Sequence, residues 1–142
     1  MEWMLLPYKR YFDFSGRSRR KEYWMFFLFV IVIELILAAL LFSQIPLTAY
    51  GMMDWPAEGV GTGFYALMIV AFIFGLGTII PQIAVQVRRF HDQDKSGWFV
   101  LLNFIPYVGF LIVLVFMFIE GTRGPNRYGA DPKDPTNSEV FA

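Results

Sequence analysis

Eleven residues, Arg88 to Trp98 (Arg-Arg-Phe-His-Asp-Gln-Asp-Lys-Ser-Gly-Trp), gather the chain's lone histidine with two aspartates, two arginines and a lysine. His91, Asp92 and Asp94 are where metal or acid–base chemistry would be sought first. A structural metal site is closed by several side chains. One imidazole and two loop carboxylates fall short, and there is no second histidine and no cysteine to complete a set. The same scarcity rules out a histidine-based triad except through His91, and no G-x-x-x-x-G-K-[ST] or G-x-G-x-x-G run is present to cradle a phosphate. Arg88, Arg89, His91 and Asp92 read instead as a charged cluster whose expected partners are Glu22, Arg19 or Arg20. Asp94 to Gly97 then forms a turn that launches Trp98, an interfacial aromatic. No catalytic residue, metal or cofactor is expected.

A second chemical candidate is Glu34, the only charge within the apolar run from Trp24 to Phe42. An ionisable side chain inside a span is a functional-site hypothesis by default. Counting inward from the charged ends places it level with Thr78 on the second run and Tyr107 on the third, and places Gln82 level with Asn103. These five residues form an expected intramembrane polar cluster. It reads more readily as interhelical glue than as a proton or ion path, since no second ionisable group lies at similar depth.

A third candidate is the N-terminal mixture of aromatics (Trp3, Tyr8, Tyr11, Phe12, Phe14) with Lys9, Arg10, Arg17, Arg19, Arg20 and Lys21. It predicts a basic amphipathic segment at the membrane surface. Arg17, Arg19, Arg20 and Lys21, with Arg88, Arg89, His91, Asp92 and Trp98, make up a candidate surface for anionic lipid headgroups or a partner protein. The competing account is that these charges only set topology.

The elements that must position these residues are apolar runs. Of 142 residues, 56% are hydrophobic and 19% aromatic, too apolar for an ordinary soluble domain. The net charge of zero argues against a nucleic-acid partner. No cleavable signal peptide is expected: the first run starts only after Glu22 and reads as an uncleaved anchor. That run, residues 24–42, approaches the roughly 20 residues needed to cross about 30 Å of hydrocarbon. A central carboxylate costs at most roughly 3.5 kcal/mol, whereas each Leu, Ile, Phe or Val returns up to about 0.6. Fourteen such residues outweigh Glu34.

A loop over 43–63 follows, without Lys or Arg. The second run, 64–87, is long enough to span and is kinked by Pro81. Residues 88–97 form a second basic loop. The third run, 98–119, is expected as one kinked helix holding Asn103, Pro106 and Gly109. The alternative is a re-entrant hairpin turning at Ile105 to Gly109, with arms of roughly ten residues, short for a span. Residues 120–142 predict a polar, largely extended tail.

The expected fold is therefore an all-α integral membrane protein of one domain with three transmembrane helices. Residues 1–22 and 88–97 lie in the cytoplasm because nine of the twelve Lys and Arg residues fall there. The loop 43–63 is then outside, and three spans put the tail outside as well.

Three motifs carry a resemblance. Phe14-Ser15-Gly16-Arg17-Ser18-Arg19-Arg20-Lys21-Glu22-Tyr23-Trp24, then Arg88-Arg89-Phe90-His91-Asp92 with Lys95-Ser96-Gly97-Trp98, then Gly124-Pro125-Asn126-Arg127-Tyr128-Gly129 with Asp131-Pro132-Lys133, are similar in type and order to the family catalogued as domain of unknown function 805. The resemblance implies a small bacterial inner-membrane protein with no established reaction, so it transfers no catalytic residues. The loop 43–63 is longer than the family implies. The expected function is non-enzymatic: a membrane scaffold or accessory subunit that binds membrane lipids, a membrane-protein partner or a second copy through the basic face. The alternative is a small oligomeric transporter or channel component using Glu34 and the polar residues of the spans.

Overall fold

The computed structural model describes residues 2–45 and 61–134. Its order is α1 (Glu2–Lys9), α2 (Arg20–Ser43), α3 (Thr62–Asp92), a 3-10 helix (Gly97–Phe104) and α4 (Val108–Phe118). Residues 46–60 of the expected external loop, and the tail beyond 134, lie outside the described residues.

Helices α2 and α3, of 24 and 31 residues, are the two that are long and apolar enough to cross a membrane. At 1.5 Å per residue they reach about 36 and 46 Å. Little of either is buried within the chain. A helix that is apolar on all sides yet unburied by protein needs hydrocarbon around it. Leu35 and Ile36 on α2, and Phe72 and Ile73 on α3, are exposed in this way.

The chain divides into two compact units, one of residues 28–79 and one of the described residues before 28 and after 79. In the first unit Val30 and Thr78 are buried. The Thr78 hydroxyl donates to the Phe74 carbonyl at 2.7 Å, in the turn just before Pro81. In the second unit the core is Tyr23, Phe26, Ala84, Val85, Phe90, Val113 and Met117. Tyr8 of α1 meets Phe26 edge-on at 5.2 Å, which anchors the amphipathic segment.

The expected single helix over 98–119 is corrected. The run is a hairpin: its first arm is a 3-10 helix, its second is α4, and the chain reverses around Pro106 and Tyr107. Phe99 near its start and Phe116 near its end lie 6.0 Å apart, and both contact Phe90 of α3. The close approach of the arms has an atomic cause. A Cβ on Gly109 would sit 1.8 Å from the Leu102 carbonyl oxygen, so only glycine fits. Tyr107 takes φ 63° at the tip, a conformation uncommon for a bulky residue, and its side chain is 92% exposed. Each arm is about 16 Å long, half the thickness of a hydrocarbon core.

Two further corrections follow. Residues 88–92 are the last turn of α3 and not a loop. The described part of the tail is not extended: it folds into turns closed by the Asn126–Gly129 bridge and packs back on Arg17 and Arg19. The described part of the tail thus belongs to the same compact unit as the N-terminal segment. Hydropathy alone could not separate a 22-residue span from two arms of half that length.

Candidate functional site

Three segments distant in sequence converge where α2 begins and α3 ends. Arg88 on α3 donates through Nη2 to Glu22 Oε1 at 3.1 Å and through Nε to Ser18 Oγ at 2.8 Å. Its Nη1 reaches the Asp13 carbonyl. Arg89 pairs with Asp92 one turn on, and its Nη2 donates to the Ile119 carbonyl at 2.6 Å. Arg17 donates through Nε to the other oxygen of Asp92 at 3.0 Å. Its remaining nitrogens reach the carbonyls of Thr122 at 2.5 Å and Gly124 at 2.7 Å. Asp92 thus bridges two guanidinium groups, and all three arginines are buried.

Three buried cations face two buried carboxylates. The excess positive charge is balanced by peptide dipoles: carbonyls of 10, 13, 18, 119, 122 and 124 all point at guanidinium nitrogens. The position of Arg88 and Arg89 in the last turn of α3 adds the favourable end of the helix dipole. Gly121 closes against this centre, and a Cβ there would lie 2.0 Å from Asp92 Oδ2. Among the described residues only Arg89 Nε and Gln93 Oε1 are buried side-chain polar atoms without a partner.

The expected Arg88–Glu22 pairing is present. The expected surface is corrected in part: Arg17, Arg88, Arg89 and Asp92 are interior, because carbonyls of the tail cover Arg17, the segment before α2 and Glu22 cover Arg88, the Ser18 and Ile119 carbonyls cover Arg89, and Gly121 closes over Asp92. Arg20, Lys21 and Trp98 remain exposed, and Arg19 is half-buried. Arg19 and Lys21 lie 5.6 and 5.5 Å from the centre of the Trp3 ring.

His91 is held as a structural ring. It stacks on Tyr128 at 3.8 Å, and its Nδ1 faces the Gly16 carbonyl at 3.2 Å. A carbonyl only accepts, so Nδ1 carries the hydrogen. The apolar part of α3 ends at Val87, and beyond it burial, with the Arg127 charge adding to it, pushes the His91 pKa down despite the Gly16 contact. Among the described residues no three His, Asp or Glu side chains group as metal ligands.

The polar cluster expected deeper in the membrane is also corrected. Glu34 is exposed, Tyr107 is almost wholly so, and Thr78 turns back to its own helix. Asn103 pairs with Gln86 at 2.8 Å and not with Gln82, because the hairpin arm starts against Val87, near the end of α3.

The comparisons with known proteins concern this same framework. A profile of the family described as "Protein of unknown function (DUF805)" matches residues 11–130, which contain the convergent segments. The chain belongs to the DUF805 family. Among DUF805-like relatives, the Escherichia coli K12 inner membrane protein YhaH is 43% identical over 94% of this chain and 98% of its own length. The inner membrane protein YhaI of the same strain is 40% identical over 96% of this chain and all of its own. A more distant E. coli protein, the uncharacterized YiiR, is 26% identical over 87% of this chain. No solved structure matches the chain significantly. With two apolar helices in hand, these relatives support an inner-membrane location for this DUF805 protein.

Thr122 and Gln93 were not singled out by sequence, and Ser18 and Tyr128 entered only as members of motifs with no role of their own. The third motif contains Tyr128, and its pairing with the central motif is the signal that could have found it. Backbone carbonyl acceptors such as those of Thr122 and Gly124 leave no trace in residue type.

Proposed function

We propose that this protein is a non-enzymatic scaffold or accessory subunit of the inner membrane, with two spans and a hairpin dipping in from the cytoplasmic side. It binds anionic lipid or the basic-patch ligand of a membrane partner through Trp3, Lys9, Arg19 and Lys21. The observation that carries this reading is the pair of cations flanking the Trp3 indole. An indole anchored at an interface with cations beside it suits a headgroup layer, where each cation contributes roughly 1 kcal/mol. Next to it, Glu2, Trp3, Leu6 and Lys9 line a hollow of about 270 Å³.

The arginine cluster supports the scaffold reading in a different way. Apart from Arg89 Nε, its guanidinium nitrogens are engaged by the chain's own side chains and carbonyls, so they serve to fasten three segments together. The sidedness is supported by charge. With the tail beside the N-terminal segment, all twelve Lys and Arg residues fall on one side, and the 43–63 loop has none. The positive-inside rule makes that side cytoplasmic.

The test is flotation of the purified protein's soluble-side fragment-free form, that is, the full chain in nanodiscs, against vesicles of phosphatidylglycerol or phosphatidylcholine. Neutralising Lys9, Arg19 and Lys21 together should abolish preferential capture by the anionic vesicles. Capture that is unchanged, with folding retained, would remove lipid from the proposal. Binding of neither vesicle type by the unaltered protein would do the same.

A further inference from the structure

A groove of about 540 Å³ runs beside the end of α3, within the range of about 300–1,000 Å³ usual for ligand sites. One wall is Ile83, Val87 and His91, spaced by four residues and so stacked over about 12 Å of a single helix face. The opposite wall is Trp98 and Val100 of the hairpin's first arm, and Tyr128 and Phe14 close the outer end. Polarity changes along it. Along α3 the lining passes from the apolar Ile83 and Val87 to His91 in the charged last turn, and Ser96 and Tyr128 add further polar groups.

The polar end has a fixed chemistry. Because Nδ1 faces the Gly16 carbonyl, the neutral His91 ring presents Nε2 as a lone-pair acceptor, and Nε2 makes no hydrogen bond among the described residues. Gly97 lines the groove beside this atom: a Cβ there would lie 3.0 Å from it. Outside the groove lining, the Arg127 guanidinium sits 4.8 Å from the Tyr128 ring centre and is held by Asp94, through Nε to its carboxylate at 3.2 Å and through Nη2 to its carbonyl at 2.8 Å, which leaves Nη1 without an acceptor among the described residues. An acceptor thus lies within a largely apolar slot, and one further N–H group of Arg127 lies beyond Tyr128.

We propose that this groove binds one phospholipid of the surrounding bilayer, an ethanolamine phospholipid, with an acyl chain along Ile83, Val87 and Val100, its ammonium donating to His91 Nε2 and its phosphate beside Arg127. The headgroup has a complement for each group: the ammonium has N–H groups to give to Nε2, and the phosphate can accept from the remaining N–H of Arg127. A choline headgroup has no N–H and cannot make the first bond. This site shares no residue with the Trp3 face, so the two proposals stand or fall separately.

The experiment uses the full chain in detergent micelles doped with phospholipids brominated in the acyl chain, which quench a tryptophan they touch. The Trp98 signal is obtained as the difference between the unaltered protein and Trp98→Phe. Saturable quenching by brominated phosphatidylethanolamine is expected, about tenfold tighter than by phosphatidylcholine, the value of one charge-assisted hydrogen bond at its lower limit. His91→Phe keeps a ring to stack on Tyr128 and should erase the headgroup preference while leaving acyl binding. Val100→Phe fills the apolar end and should weaken quenching by both lipids. Equal binding of the two lipids by the unaltered protein overturns the headgroup assignment, whatever the variants do, and so does tighter binding of phosphatidylglycerol. Quenching that does not saturate overturns the site itself.

Discussion

Asp92 shows how much a single side chain can hold. It sits between Arg17 and Arg89, one carboxylate oxygen to each, and is itself buried. Removing one partner of a buried ion pair strands the other charge and typically costs roughly 3–5 kcal/mol. Asp92→Asn should therefore lower stability by at least that order, read from chemical unfolding in detergent, because it strands two guanidinium groups. A variant with unchanged unfolding midpoint would show that peptide carbonyls alone can hold the arginines. Asp13 provides a milder, pH-dependent tie. Burial pushes its pKa up, but hydrogen bonds from Ser15 and Arg10 and the Arg10 charge win, and bring it from 3.8 down to about 2. A folded pKa below the unfolded one gives stability that is complete above the unfolded value and lost as pH falls through the folded one. The turn over 10–15 should hence loosen between about pH 4 and pH 2, followed by the carboxyl resonance of Asp13 in NMR, and Asp13→Asn should remove the transition. At this scale the sequence was partly legible: Arg88 and Glu22 are opposite charges at the ends of neighbouring helices. The acceptors of Arg17 were not, because they are main-chain atoms of residues more than a hundred positions away.

Among the elements, the hairpin is where hydropathy misled. Residues 98–119 are apolar throughout, and a uniform run of 22 residues matches one span as well as it matches two short arms. The distinction lies in local geometry: Pro106, the positive φ of Tyr107, and a glycine at 109 that lets Leu102 approach. Gly109→Val should therefore disrupt the reversal. A cysteine at Tyr107, labelled with a spin probe, should lose its present distance to a probe on Arg123 in pulsed EPR when that change is made. An unaltered distance would mean that the arms are held by other contacts. Helices α2 and α3 were legible because each is long and apolar on all sides, with every charge but Glu34 confined to its ends. A short helix in the N-terminal segment was legible too, and α1 provides it over Glu2–Lys9.

For the whole molecule, the placing of the tail decides the topology. On the proposed arrangement of two spans and a returning hairpin, the C-terminal end falls on the N-terminal side, opposite to the outcome of three spans. A reporter active only in the cytoplasm should therefore be active when fused after Ala142, whereas one active only outside should be silent there. The reverse pattern would restore the third span. The arginine cluster adds a dimension of time. Chains are made N-terminus first, yet the carbonyls that close over Arg17 belong to residues 105 and 107 positions later. During insertion of the first two helices those acceptors do not yet exist. On the proposed topology Arg17 and Arg89, whose Thr122, Gly124 and Ile119 acceptors come last, then stand as hydrated cations on the ribosome's side and serve as topological signals for the nascent helices. Only when the last segment emerges are the same charges withdrawn from water, so that the marks which directed assembly become the bolt that ends it.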